Sequence, residues 1–404
     1  MGISFAAAAQ QFHLYNDRIS YVMKVLRDGH LGQLYFGARL PEDRDYGHFV
    51  HTDYYRPTTA YVFDNEYGFS HEHLRQEYPS YGTTDFREGA VELAQPDGSH
   101  ITDFCYVSHE IVAGKPKLPG LPATYVEADD EADTLLVRLR DEKTGVELVL
   151  SYTIFRDFDA IARNAYFVNK GSETVALTRA MSLAIDLPDA DYDFVQFSGW
   201  WGRERQKSVT HLRPGIQSIG SLRGQSSHVH NPFFILKRPQ ADEQQGEAIG
   251  FSLVYSGNFL AQAEVDTFDV TRVTMGIHPQ EFCWQLAPND SFQTPEAVMV
   301  WSDHGLNGMS QNFHKLYRTR LARGVWRDKV RPILINNWEA TYFDFDEEKL
   351  VRIAKTAHYV GVELFVLDDG WFSTRCGETS GLGDWWPNTD RLPNGITGLA
   401  ERIN

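Results

Sequence analysis

Two adjacent carboxylates, Asp368 and Asp369, close the apolar run Leu364-Phe365-Val366-Leu367 and are followed at once by Gly370 and Trp371. The carboxyl end of a parallel strand is where β/α barrels carry their chemistry. Successive strand residues point to opposite faces, so this pair is poorly placed as a nucleophile and acid, which in sugar hydrolysis stand about 5 Å apart across one bond. Strand ends twist, however, and both side chains can reach one pocket. Carboxylates there accept charge-assisted hydrogen bonds from sugar hydroxyls, while Trp338 and Trp371 offer flat apolar faces to the C–H side of a ring. A plainer reading stays open, in which Asp368 and Asp369 cap the loop or hold a metal such as Mg²⁺.

The elements that must position this pair follow from the hydrophobic period. Pro332 opens Ile333-Leu334-Ile335-Asn336-Asn337, an apolar run typical of a parallel strand covered on both faces. Asp346 can cap the next helix, with Glu347 and Glu348 near its positive end. Leu350, Ile353-Ala354, Ala357 and Val360 form its apolar stripe and Gly361 ends it. Strand, helix and strand in tight succession predict a βαβ unit. A complete barrel takes about 250 residues. Only residues 331–404 are left for it, and Gly398–Asn404 reads as the start of a second barrel helix, so the expectation is an incomplete (β/α)8 TIM barrel in a shortened chain or gene fragment.

Upstream the pattern is different. Short β-type runs alternate with turn residues to about residue 300, predicting a large antiparallel β-sandwich. Leu135–Leu139 and Val146–Ile154 read as a hairpin around Asp141–Gly145, and Asn164–Val168, Asn169-Lys170-Gly171 and Thr174–Thr178 as the next one. Met309, Phe313, Leu316-Tyr317 and Leu321 then recur at helical spacing before Gly324. The predicted organisation is a sandwich over 1–303, a connecting helix over 304–330, and the start of the barrel over 331–404.

Bulk properties exclude several functions. A formal net charge of −17 argues against a nucleic-acid partner, which needs clustered Lys and Arg. No uncharged apolar stretch reaches the roughly 18 residues that would cross a bilayer. The amino terminus lacks the basic start of a signal peptide, and Cys105, Cys283 and Cys376 are odd in number and far apart. A cytoplasmic protein without a cofactor is expected. His71-Glu72-His73 lacks a third metal ligand at helical spacing and reads as a solvated loop, so no metal residues are assigned. Cys376 reads as an inert thiol, and Asp384 and Trp385 as cleft lining or packing.

Longer motifs add a resemblance. Arg331–Ala340, Leu367-Asp368-Asp369-Gly370-Trp371 and Gly381-Leu382-Gly383-Asp384-Trp385 closely resemble the bacterial α-galactosidases of glycoside hydrolase family 36. The likeness continues upstream through Gln76–Gly82 and Ser198–Arg205, and so covers essentially the whole chain. Gly89 and Trp200 depart from that family's pattern. What the resemblance implies is retaining hydrolysis of terminal α-linked galactose, as in melibiose and raffinose, by an Asp nucleophile and an Asp acid/base. Both are expected on later barrel strands, beyond Asn404, so no catalytic residue is assigned within this chain and the chain alone is expected to be inactive. The residues matching the family's galactose site are Asp368 and Asp369, joined by Asp53 and Trp201 from the sandwich; the indole of Trp338 is added as a candidate for the sugar's apolar face from its place beside the strand end. In the family the sandwich residues reach a neighbouring subunit's barrel mouth, which implies a homotetramer acting on α-galactoside oligosaccharides. A non-catalytic galactoside-binding module and a transglycosylase of the same family are the competing readings.

Overall fold

The structure, a computed structural model, describes residues 1–42, 44–50, 60–66 and 68–404. It divides into two units, Met1–Ala322 and Arg323–Asn404. The helix Gly305–Arg320 belongs to the first.

The first unit is built from antiparallel sheets. A four-stranded meander opens it, running through Gly2–Ala6, Gln11–Tyr15, Ile19–Val25 and Leu31–Ala38. The two large sheets that follow have ten and six strands. Period-two alternation sends Leu135, Val137, Leu139, Leu148, Leu150 and Phe167 of the ten-stranded sheet into one core with Leu177, Leu183, Ile185, Ala261, Val273 and Met275 of the six-stranded sheet. The helix Gly305–Arg320 lays Leu306, Met309, Phe313 and Leu316 on the other face of the ten-stranded sheet, against Ala160, Ala162, Val298 and Val300. Gly250 permits this approach, because a Cβ there would stand 2.6 Å from both Met309 Sδ and Phe313 Cε2.

The hairpin of Ala132–Asp141 with Val146–Phe155 forms as its turn residues predict. Thr144 N donates to Asp141 Oδ1 at 2.8 Å, and Gly145 takes a φ of +72°. The next hairpin is a correction. Ala160–Asn169 pairs back onto Val146–Phe155, but the strand Val175–Leu187 leaves for the six-stranded sheet and pairs with Val91–Ala94, Thr271–Ile277 and Trp284–Leu286. Asn169 holds the corner, donating to the carbonyls of Glu173 and Leu286 and accepting from Gly171 N. Turn residues specify a reversal of direction, not the partner that the chain finds afterwards.

One buried histidine gives this unit an acid sensitivity. The His13 ring lies 2.8 Å from Ser20 Oγ, and burial, aided by the Arg39 charge, holds its pKa near 4. The unfolded chain binds a proton near pH 6.5 and the folded one does not until about pH 4, so stability is lost as pH falls through that window. His13→Gln is expected to remove up to about 3 kcal/mol of this loss. Thermal midpoints of the wild type and variant from pH 7 to 4 check it: parallel curves would show that His13 titrates normally.

The second unit is the βαβ arrangement. Strands Leu334–Asn336 and Leu364–Val366 pair in parallel, Leu334 opposite Leu364 and Asn336 opposite Val366, around the helix Glu347–Tyr359. Asp346 caps that helix through Lys349 N at 2.7 Å. Its stripe packs Leu350, Val351, Ala354 and Ala357 inward, whereas Val360, expected in the stripe, is exposed just before the left-handed Gly361. Phe345, Leu392 and Leu399 complete the small core, the last from the helix Gly395–Ile403.

Candidate functional site

The carboxyl ends of the two parallel strands carry a hydrogen-bonded constellation. Asn337 is fully buried. Its N donates to Val366 O at 3.3 Å, its Oδ1 accepts the Asp368 N–H at 2.8 Å, and its Nδ2 donates to Thr341 Oγ1 at 2.9 Å. Asn336 Nδ2 donates to Asp368 Oδ2 at 2.5 Å, and Asn336 Oδ1 accepts the backbone N–H of Trp338 at 2.8 Å. Two consecutive asparagines therefore tie Asp368 and Trp338 to the end of the first strand. Rigid fixing of this kind is what a binding carboxylate requires.

Asp369 is clamped differently. Arg375 Nε donates to its Oδ1 at 2.6 Å and Arg375 Nη2 to its Oδ2 at 2.7 Å, while Gly370 N donates to Oδ1 at 2.7 Å. The Arg375 hydrogen bonds, first among several causes, hold the Asp369 carboxyl below the usual carboxylate range, so it stays ionised and is unsuited to donate a proton. A carboxylate offers about four accepting positions. Asp369 has three contacts there already. Asp368 has two, from Asn336 Nδ2 and Asp369 N. The geometry leaves Asp368 the more available acceptor and makes Asp369 both an acceptor and the anchor of the loop bearing Arg375. Gly370 adopts a φ of +85°, and a Cβ there would stand 3.0 Å from Arg391 Nη1 and from Phe343.

Aromatic groups surround this strand end. Trp338 is half-buried, edge-on to Tyr342 and Phe343 with centroids at 5.2 and 5.0 Å. Trp371 is edge-on to Phe372 at 5.2 Å and lies 6.5 Å from Trp385. In the first unit, Trp201 is 83% exposed in the loop between strands Asp193–Ser198 and Gln206–His211, whereas the Arg223 guanidinium lies 5.2 Å over the Trp200 ring. Trp201 is thus the more available indole of the two. Asp53 lies outside the described residues.

Asn336, Asn337 and Arg375 carry no role in the sequence reading. The only available signal was the pairing of two amides directly before Trp338, in a run otherwise apolar. His71-Glu72-His73 needs correction as well: His71 and His73 are buried, not solvated, because the loop folds inward and His71 Nδ1 donates to Thr83 O at 2.6 Å. The upstream run Gln76–Gly82 proves structural. Glu77 is fully buried and accepts from the hydroxyls of Tyr21 and Tyr152, with Arg163 Nη2 at 3.2 Å, and Ser80 Oγ donates to Thr102 O.

Large antiparallel sheets followed by a βαβ unit whose strand end gathers carboxylates and indoles define a sandwich-plus-barrel class of protein. Comparison with known proteins narrows the class. Residues 29–287 match the glycosyl hydrolase family 36 N-terminal domain and residues 291–404 match melibiase, so the chain belongs to glycosyl hydrolase family 36. It is 52% identical to the α-galactosidase AgaA of Geobacillus stearothermophilus over its whole length, which is 55% of that relative. The crystal structure of the family 36 α-galactosidase AgaB from the same organism superposes with a TM-score of 0.95 at 51% identity, over 100% of this chain and 55% of that one. A variant of AgaA solved in complex with raffinose gives 0.94 at 52% identity, over 98% and 55%. The chain therefore spans about half the length of the relatives it matches, and its second unit is the opening of their barrel.

Proposed function

We propose that this chain is the galactose-recognising portion of a retaining α-galactosidase, acting on terminal α-galactosides such as melibiose and raffinose. The observation that carries the reading is Asp368, fixed by Asn336 and Asn337 at a parallel strand end with accepting positions open. Asp369, held ionised against Arg375, is suited to gripping a sugar hydroxyl and not to breaking the bond. The nucleophile and acid/base aspartates are assigned to later barrel strands of the longer protein. Ile333, Leu334 and Leu364, at 61%, 52% and 41% exposure, support this, since apolar residues on parallel strands are normally covered on both faces. The relative bound to raffinose supports the substrate class. Trp338 is assigned to the sugar's apolar face, and Trp201 and Asp53 to a neighbouring subunit's site in a homotetramer. A cytoplasmic location rests on the sequence, and among the described residues no helix is long and apolar enough to cross a membrane.

The 404-residue chain expressed by itself is expected to release no nitrophenol from p-nitrophenyl α-galactoside, while the longer protein does so. Stoichiometric turnover by the short chain, abolished by a substitution within it, would contradict the assignment of the catalytic pair.

A further inference from the structure

A buried cluster of carboxylate and imidazole groups that the sugar site does not use lies in the first unit. Asp28 and His30 sit on the turn between strands Ile19–Val25 and Leu31–Ala38, and His71 reaches them from the loop that continues to Gln76 and Glu77. His30 Nδ1 stands 3.1 Å, and His71 Nε2 2.5 Å, from the same oxygen, Asp28 Oδ2. The three residues can each present one ligand atom with all of these within 4.8 Å of one another. His71 is fully buried and His30 nearly so, and the rings stand 68° apart with centroids at 4.4 Å, so their nitrogens converge instead of stacking.

The far nitrogen of His71 is already engaged in the way that orients a metal-binding imidazole, and that of His30 lies beside a carboxylate. His71 Nδ1 donates to Thr83 O at 2.6 Å, while Nε2, turned to Asp28 Oδ2 at 2.5 Å, has no partner of hydrogen-bond geometry, so that a metal would take the place of any proton there. His30 Nε2 stands 3.1 Å from Asp103 Oδ1, a carboxylate–histidine pair. Ligands 2.0–2.1 Å from a tetrahedral Zn²⁺ are separated by about 3.4 Å, so the 3.1 Å edge is close to that value and the 2.5 Å edge needs to open by just under about 1 Å. A cavity of about 940 Å³ is lined by Arg27 and Gly29, the chain neighbours of Asp28, and by Gly68 and Phe69.

We propose that Asp28, His30 and His71 form a binding site for a divalent transition-metal ion, with Asp103 as the outer carboxylate that orients His30. Two imidazoles and one carboxylate suit zinc, cobalt or nickel better than magnesium or calcium, which prefer all-oxygen ligands. The ion staples the loop that carries Glu77 to the opening meander, and its role is structural.

The untagged protein, stripped with chelator and dialysed, is titrated calorimetrically with Zn²⁺ at pH 7.5. One saturable equivalent is expected, with a rise in thermal midpoint as zinc exceeds its dissociation constant. Co²⁺ in its place is expected to give a visible absorption band of a low-symmetry site. His71→Gln and Asp28→Asn are each expected to weaken binding at least tenfold, while His304→Gln, on the surface, leaves it unchanged. No saturable zinc binding by the folded wild-type protein would overturn the proposal, and that titration needs no variant to fold. Binding that persists undiminished in both cluster variants, through exposed Cys283 or Cys376, would overturn it equally.

Discussion

Arg272→Met is expected to destabilise the Met1–Ala322 unit by about 3–5 kcal/mol, the range for breaking a buried ion network by removing one partner. Arg272 is 1% exposed and donates from Nε and Nη2 to the two oxygens of Asp186, both at 2.8 Å, and from Nη2 to Asp85 Oδ2 at 2.7 Å. Arg87 closes the network, donating from Nε to Asp85 Oδ1 at 2.9 Å and from Nη1 to Asp266 at 3.0 Å. Burial opposes ionisation of Asp85, but Arg272 and Arg87 outweigh it and hold its pKa near 2. With methionine at 272, Asp186 keeps the Gln76 N–H and a more distant Arg87 at 3.6 Å, and carries a charge that its surroundings no longer balance. Methionine fills a similar volume, so the loss reports charge and hydrogen bonding more than a cavity. The first thermal or urea transition, followed by tryptophan fluorescence, reads it. A change under about 1 kcal/mol would show that Arg87 suffices and that the network is not interdependent.

Asp369→Asn in the longer protein is expected to weaken galactoside affinity roughly tenfold to a hundredfold, matching about 1.5–3 kcal/mol for a hydrogen bond to a charged group. Two effects add. The substitution removes the charge assigned to the sugar, and an amide can accept from only one arm of Arg375, which now donates to both carboxylate oxygens. Arg375 also donates to Ser380 O, so the loop toward Gly381–Trp385 loosens with it. Inhibition constants for a galactose analogue, compared with the thermal midpoint, separate this from global unfolding. Unchanged affinity would remove Asp369 from the site.

Local chemistry made much of the second unit legible. Pro332 and the apolar run after it, the Asp346 cap and Gly361 mark a strand, a helix start and a helix stop, each from residues within one turn of each other. The Ala132–Phe155 hairpin was equally local. What could not be read depends on distant partners. Asn169-Lys170-Gly171 reverses the chain, yet whether Val175–Leu187 joins the same sheet or the opposite one is decided by strands more than 80 residues away, such as Thr271–Ile277. His71 looked like a loop histidine because Asp28 and His30 lie some 40 residues earlier, and Arg375 looked incidental until the chain folded it back to Asp369. Asp368 was singled out as a candidate from its place after a parallel strand. The amides that fix it were not, since Asn336 and Asn337 look like the end of a strand until their bonds to Asp368 are seen.

The most direct test of the central assignment is calorimetric titration of galactose into the longer protein and its Asp368→Asn variant. Asp368 has the accepting positions left open, so its neutral amide is expected to lower galactose affinity at least tenfold with the thermal midpoint unchanged. Equal affinity in wild type and variant would contradict the account and move the sugar away from the end of the Leu364–Val366 strand.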